Sequence, residues 1–164
     1  MAVKTLEDLF IHELSDIHSA ERQLTRALPR LARAADNPAL AAAFETHLEE
    51  TRGQIERLDD VVELLDIRRK RIKCAAMEGL VEESRDIIDS IEQGPLRDAA
   101  LIGGAQKVEH YEIAAYRTLC TLGRQLGYSA AVKLLEATLE EEQATDAILT
   151  RLAEPGTRQA AADA

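Results

Sequence analysis

The stretch Ala105-Gln-Lys-Val-Glu-His-Tyr-Glu-Ile-Ala-Ala-Tyr116 decides how this chain folds. Ile102, Ala105, Glu109, Glu112, Tyr116 and Leu119 recur at steps of three and four, so a helix places them on one face. Glu109 and Glu112 stand where a core-facing helix ordinarily shows Leu or Ile. A carboxylate buried without a partner costs several kcal/mol and must be neutralised, paired or bound to a metal. One such stretch is an oddity; four helices doing the same at one height would be a site.

Outward from there, the pattern repeats. A first helix is expected from Thr5 to about Ala35 on the line Leu6, Phe10, Ile17, Leu24, Leu28 and Leu31, with Glu13 and Glu21 on the same line. Pro29 falls inside it and predicts a kink, because the apolar period continues past it. Asp36-Asn37-Pro38 supplies a break, an N-cap and a proline at the first helical position. A second helix, about 38–66, shows Leu40, Phe44, His47, Thr51, Gln54, Leu58, Val61 and Leu65, with Glu50 one step beside His47. The basic run Arg68–Lys73 follows, then Cys74 and a short amphipathic helix near 77–92. The central helix runs from Pro95 to Leu126, with Gly127 as its terminator. Ser129 caps a last helix, 130–153, carrying Leu135, Thr138 or Leu139, Glu142, Asp146, Leu149 and Ala153. The expected domain is 1–154, with 155–164 a disordered tail.

The bulk composition agrees with a bundle. The 164 residues are 46% hydrophobic and only 3% aromatic, with no Trp, and Ala and Leu dominate, as in helical bundles. The net charge of −10 argues against nucleic acid as a partner. Cys74 and Cys120 form neither a disulfide framework nor a metal-type spacing. No secretory signal and no run of about 20 apolar residues is seen, so no membrane contact is expected and the cytoplasm is the expected home.

The links between first and second and between third and fourth long helices are short, which makes antiparallel neighbours. The long middle connection, carrying its own small helix, permits a crossover to the far end. The fold class is therefore all-α: a ferritin-like four-helix bundle with a long second-to-third crossover bearing a short extra helix.

Axial height then selects the site. Long helices of about 25–32 residues span roughly 37–48 Å, yet Glu21, Glu50, Glu109, Glu112 and Glu142 all fall near the middle of theirs. Glu13 lies about 12 Å below Glu21 and is the weaker candidate. His47 and Asp146 sit one turn from Glu50 and Glu142 on the same faces and join the layer by that geometry. Anionic oxygens offset the repulsion between two divalent ions, imidazole suits iron and manganese, and open positions admit oxygen or peroxide. The usual Glu-x-x-His pair of dimetal bundles is absent; His47-x-x-Glu50, Glu109-x-x-Glu112 and Glu142-x-x-x-Asp146 stand in its place.

The segments Glu13-Leu-Ser-Asp-Ile-His-Ser-Ala-Glu-Arg-Gln, His47-Leu-Glu-Glu-Thr-Arg-Gly-Gln-Ile-Glu-Arg, Met77-Glu-Gly-Leu, Gln106-Lys-Val-Glu-His-Tyr-Glu-Ile-Ala-Ala-Tyr and Leu139-Glu-Glu-Glu-Gln-Ala-Thr-Asp resemble the bacterial YciF/YciE ferritin-like family. The resemblance covers nearly the whole chain. It implies a four-helix bundle with an added short helix, a homodimer, a dimetal centre and an association with stress responses. Rubrerythrins, in the wider class, use a Glu-x-x-Glu pair similar to Glu109-x-x-Glu112. On that analogy Glu21, Glu50, Glu109, Glu112 and Glu142 are metal ligands.

The expected protein thus holds two iron (or manganese) ions per chain and handles dioxygen or hydrogen peroxide, in the manner of a di-iron oxidase or peroxidase. The alternative is a metal-free helical dimer acting as a stress-induced scaffold, its carboxylate layer paired with Arg, Lys, Gln54 and His47. His110, off the main line, is expected at a helix contact, and His12 and His18 on solvated flanks. Tyr116 is expected to hydrogen-bond a ligand or simply to pack. Cys120 reads as a small core residue, Cys74 as an exposed or half-buried thiol, and Arg68–Lys73 as a solvated connector.

Overall fold

The computed structural model describes residues 3–154, so the segment 155–164 lies outside the described residues. Five helices follow in order: α1 (Leu6–Ala34), α2 (Pro38–Leu64), α3 (Ala75–Ser90), α4 (Pro95–Gln125) and α5 (Ser129–Ala153). Their ends obey local chemistry. Thr5 opens α1 with a capping box: its hydroxyl accepts from the Asp8 N–H at 3.0 Å and the Asp8 carboxylate accepts from the Thr5 N–H at 3.1 Å, which satisfies two orphan amides. Asn37 caps α2, accepting from the Ala39 N–H at 2.9 Å ahead of Pro38. Pro29 stays inside one continuous α1.

Gly127 ends α4 as expected, at φ +75°. The Tyr128 N–H donates to the Gly123 carbonyl and the Gly127 N–H to the Arg124 carbonyl, the Schellman pattern that a left-handed residue completes. Gly123 has a different reason. A Cβ there would lie 2.8 Å from the Val132 side chain, so α4 and α5 can close together only over a glycine. Ser129 is the first residue of α5 and not its cap; Tyr128 takes the cap position without a side-chain hydrogen bond.

α1 packs on α2, α4 on α5, α2 on α5 and α1 on α4, with α3 laid against α1 and α4. Contacts along the crossover fix its direction. Lys70 N–H donates to Ser15 at 2.9 Å, Cys74 N–H to Ser19 at 3.0 Å, and Gln93 to the Ala35 carbonyl at 3.2 Å. The connection therefore climbs beside α1 to its far end, and α4 descends antiparallel to it. This is the expected crossover bundle.

One apolar layer is built by Phe10, Leu14, Ile17, Leu119 and Leu135 and another by Leu28, Phe44, Leu101 and Leu149, all buried. Between them lies the polar band. Two expectations fail locally. Leu6, placed on the apolar line, is exposed because it opens the helix beyond the reach of its neighbours. Cys74 is fully buried: the connector folds it onto α1 and makes it the N-cap of α3, with Sγ 3.0 Å from the Tyr111 hydroxyl.

Candidate metal centre

All six face residues of α4, Ile102 through Leu119, are buried, so the helical period drives Glu109 and Glu112 into the bundle. The same logic buries Glu21 from α1, His47 from α2 and Glu142 from α5, each at no more than 2% exposure. His47, Glu109, Glu112 and Glu142 offer ligand atoms that all lie within 4.8 Å of one another. Metal–oxygen bonds of about 2.0–2.6 Å place opposite donors roughly 4–5 Å apart, so this cluster can hold a metal ion.

Their electrostatics shows what the layer lacks. His47 Nε2 stands 3.4 Å from Glu109 Oε1 and 4.0 Å from Glu112 Oε2, and Nδ1 stands 3.9 Å from Glu50 Oε2. None of these is a hydrogen bond of ordinary geometry. Both nitrogens of His47, both oxygens of Glu112, both of Glu142, and one each of Glu21, Glu109 and Asp146 are buried without a hydrogen-bond partner. Like charges at these separations repel by about 3–4 kcal/mol per pair at an effective dielectric near 20.

Proton affinities respond accordingly. Burial, then the charges of Glu142, Glu21 and Glu109, push Glu112 well above the usual carboxylate range. Burial, then Glu21 and Glu109, do the same to Glu142. Glu109 is raised by burial against the pull of His47, and Glu21 is raised by burial to about 7 although the Tyr116 hydroxyl holds it down. Burial works to lower His47, but Glu50, Glu109 and Glu21 outweigh it and raise its affinity.

The basic and amide groups that would make the layer a closed ionic network are occupied elsewhere. Arg57 donates to Glu141 at 2.8 and 2.5 Å and to Thr138 at 3.1 Å, and Gln54 Nε2 donates to Glu141 at 3.1 Å. Glu141, turned outward beside Glu142, collects the partners expected for the buried carboxylates.

The remaining expected residues form a margin. Glu21 lies outside the four-residue cluster, with Oε1 accepting from the Tyr116 hydroxyl at 2.6 Å and Oε2 bare. Asp146 has Oδ2 at 3.2 Å from His110 Nε2 and Oδ1 buried and bare. Glu50 is partly exposed, 35% at the side chain, and accepts from Thr145 at 3.3 Å. Each marginal carboxylate thus has one oxygen held by a donor from another helix. That arrangement fixes a ligand's rotamer and leaves the other oxygen for a cation. His110 does serve a helix contact. Thr145 went unrecognised in the sequence; its position three residues beyond Glu142, on the same face, was the available signal.

Residues 5–162 match the family described as Domain of unknown function (DUF892). Protein YciF of Escherichia coli (strain K12) is 63% identical over 154 residues, 93% of each chain. Among solved structures, the E. coli stress protein YciF matches with a TM-score of 0.89 at 64% identity, over 92% of this chain and 95% of that one. YcfI from Rhodopseudomonas palustris, named there as a candidate structural protein, matches with a TM-score of 0.87 at 41% identity, over 90% and 94%. The resemblance carried by the motifs is borne out. No helix among the described residues is long and apolar enough to cross a membrane.

Proposed function

We propose, starting from a chain that belongs to the DUF892 family, that the buried carboxylates hold two divalent ions, iron or manganese, and that the protein handles iron and dioxygen or peroxide under stress. The supporting observation is the orphaned layer itself: Glu21, Glu109, Glu112 and Glu142 are buried with His47 as the one basic group set among them. Four carboxylates are neutralised by two divalent ions, and helix packing has already brought the donors together. Two such ions, when bound, supply electrons to an oxidant and open coordination positions.

The chain's own part is positioning. Glu112 and Glu142, bare at both oxygens, would be central ligands. Glu109 and His47 close the α2–α4 side, and Glu21, Glu50 and Asp146 complete the set from the margin, each steadied by Tyr116, Thr145 or His110. Binding requires that Glu112, Glu142 and His47 give up their protons.

Elemental analysis after anaerobic ferrous loading tests this reading. About two metals per chain, lost in Glu112→Ala and in Glu142→Ala, is expected. Unchanged metal content in both variants overturns it. The scaffold reading draws on the description of YcfI and expects no tight metal at all. The homodimer implied by the resemblance belongs to the same proposal. Sedimentation at twice the 18.1 kDa chain mass supports it, and sedimentation at the chain mass overturns it.

A further inference from the structure

Two cavities lie back to back across the contact between α1 and α3. The outer one is a surface basin of about 430 Å3, edged by Arg26, Arg30, Arg33 and Arg85. The inner one is about 20 Å3, walled by Leu24, Leu28, Phe44, Val108 and Leu149, and it ends on His47 and Glu109. Ala27, Leu31, Val81 and Ser84 line both. Those four side chains are therefore the partition between solvent and a chamber that touches the polar layer. Leu31 and Ser84 are buried, while Ala27 and Val81 are only half-buried.

The chamber's size and chemistry restrict what can use it. About 20 Å3 admits one water-sized molecule; along the apolar walls a water has too few hydrogen-bond partners to stay, and only the inner end at His47, Glu109 and Thr145 offers any. Hydrogen peroxide would have to shed its hydrogen bonds to pass. A metal cation would meet a basin in which four arginines and Lys73 outnumber Glu78 and Glu82, and then the dry wall. The acid-lined route for a cation lies elsewhere, at half-exposed Glu50 and at Asp146 beside surface His110.

The helix that closes the chamber lies on the outside of the bundle, against α1 and α4. α3 buries Met77 and Ser84 and rests Leu80, Val81, Ile87 and Ile88 half-buried on the core, and the exposed ion pairs Arg30–Asp89 and Lys107–Glu83 tie it to α1 and α4. Its Val81 and Ser84 are half of the partition. The crossover helix is thus placed as a cover over the chamber rather than as part of the bundle.

We infer that the passage from the basin past Ala27 and Val81 to His47 and Glu109 is the entrance for a small, uncharged, apolar reactant, dioxygen, with α3 as its cover. The inference rests on the dimetal reading and names which oxidant that centre takes. It separates two ports by chemistry: a dry one for the gas beneath α3 and an acidic one for cations between α5 and its neighbours.

The test has two arms. In metal-free full-length protein under dissolved dioxygen, the paramagnetic gas should relax the methyls of Leu28, Val108 and Leu149 faster than those of equally buried Leu14 and Leu119. Ala27→Leu should abolish that difference, and Val81→Ala should enlarge it. In ferrous-loaded protein, Ala27→Leu and Val81→Phe should slow the reaction with dioxygen about tenfold and leave metal content and the rate with hydrogen peroxide unchanged. Uniform relaxation across the core methyls, or plugged variants that react with dioxygen at the original rate, overturn the inference. A wild-type chain that takes up no metal overturns the dimetal reading and with it the oxidant assignment; relaxation at those methyls would then show only a gas-binding chamber.

Discussion

Asp98 and Glu112 lie on the same helix and are both buried, at 3% and 0% exposure, yet they are opposite objects. Asp98 accepts the backbone N–H of Asp36 at 2.8 Å and that of Asn37 at 2.9 Å, so each of its oxygens closes an amide in the turn between α1 and α2. Glu112 has no hydrogen bond at either oxygen and faces three other carboxylates. The first is a structural rivet. The second is an acid that the fold has gathered among other acids, where burial and their charges make its proton hard to lose. Burial of an acid is therefore not the mark of a site; burial without a partner is.

The largest effect should come from removing the rivet. Asp98→Ala leaves two amides without their charged acceptor and is expected to cost about 3–4 kcal/mol, since hydrogen bonds to charged groups contribute about 1.5–3 kcal/mol each. Glu112→Gln in metal-free protein at pH 8 should do the reverse and stabilise by at least about 1 kcal/mol, because an acid that folding must either protonate or leave charged among like charges is replaced by a neutral amide of the same shape. Urea unfolding of both variants checks the pair. A destabilised Glu112→Gln would mean that the carboxylate has a partner after all and would erase the contrast.

The contrast also marks what the sequence could reveal. The three-and-four spacing from Ile102 to Leu119 was legible because a helix has one period, and that alone buries Glu109 and Glu112. Matching height was legible because rise per residue is constant, which put Glu21, Glu50 and Glu142 at one level and His47 a turn away; the structure buries His47 and leaves Glu50 35% exposed at the margin. Long-range pairing was not legible. Asp98 finds its amides some 60 residues back, and Arg57 selects Glu141 rather than Glu142 because of which way α5 faces α2. Cys74 was misread for the same reason: its burial depends on Ser19 and Tyr111, neither of them a neighbour in sequence.

Of a different kind is the response to pH, a slope rather than a single step. Glu21, Glu109, Glu112 and Glu142 have folded affinities raised above their unfolded values, Glu21 to about 7. A raised carboxyl contributes stability that is fully present below its unfolded pKa, near 4.3, and is lost as pH rises through the folded value. His47, also raised, contributes in the same direction. Metal-free protein should therefore lose stability from about pH 5 towards pH 8, by about 1.4 kcal/mol per pH unit for each proton held only in the folded state. Glu112→Gln should flatten the slope. Metal affinity should move oppositely and increase over that range, with protons released on binding, which calorimetry in buffers of different ionisation enthalpy will read. A metal-free protein that gains stability towards pH 8 would contradict the assignment.

The smallest effect is the most discriminating, because Tyr116 is what separates Glu21 from Glu112. Its hydroxyl, 2.6 Å from Glu21 Oε1, gives Glu21 the one good hydrogen bond within the layer and pulls its affinity down against burial. Tyr116→Phe keeps the ring packed and takes away only the donor, so Glu21 becomes as bare as Glu112. At pH 8 the metal-free protein should lose about 1–2 kcal/mol. At pH 5, where Glu21 is already protonated and can donate a hydrogen bond itself, the loss should be smaller. The midpoint of the stability decline should move upward from about 7, since the interaction that favoured the charged form is gone. An equal loss at both pH values would instead place the value of Tyr116 in its packing rather than in its hydrogen bond to Glu21.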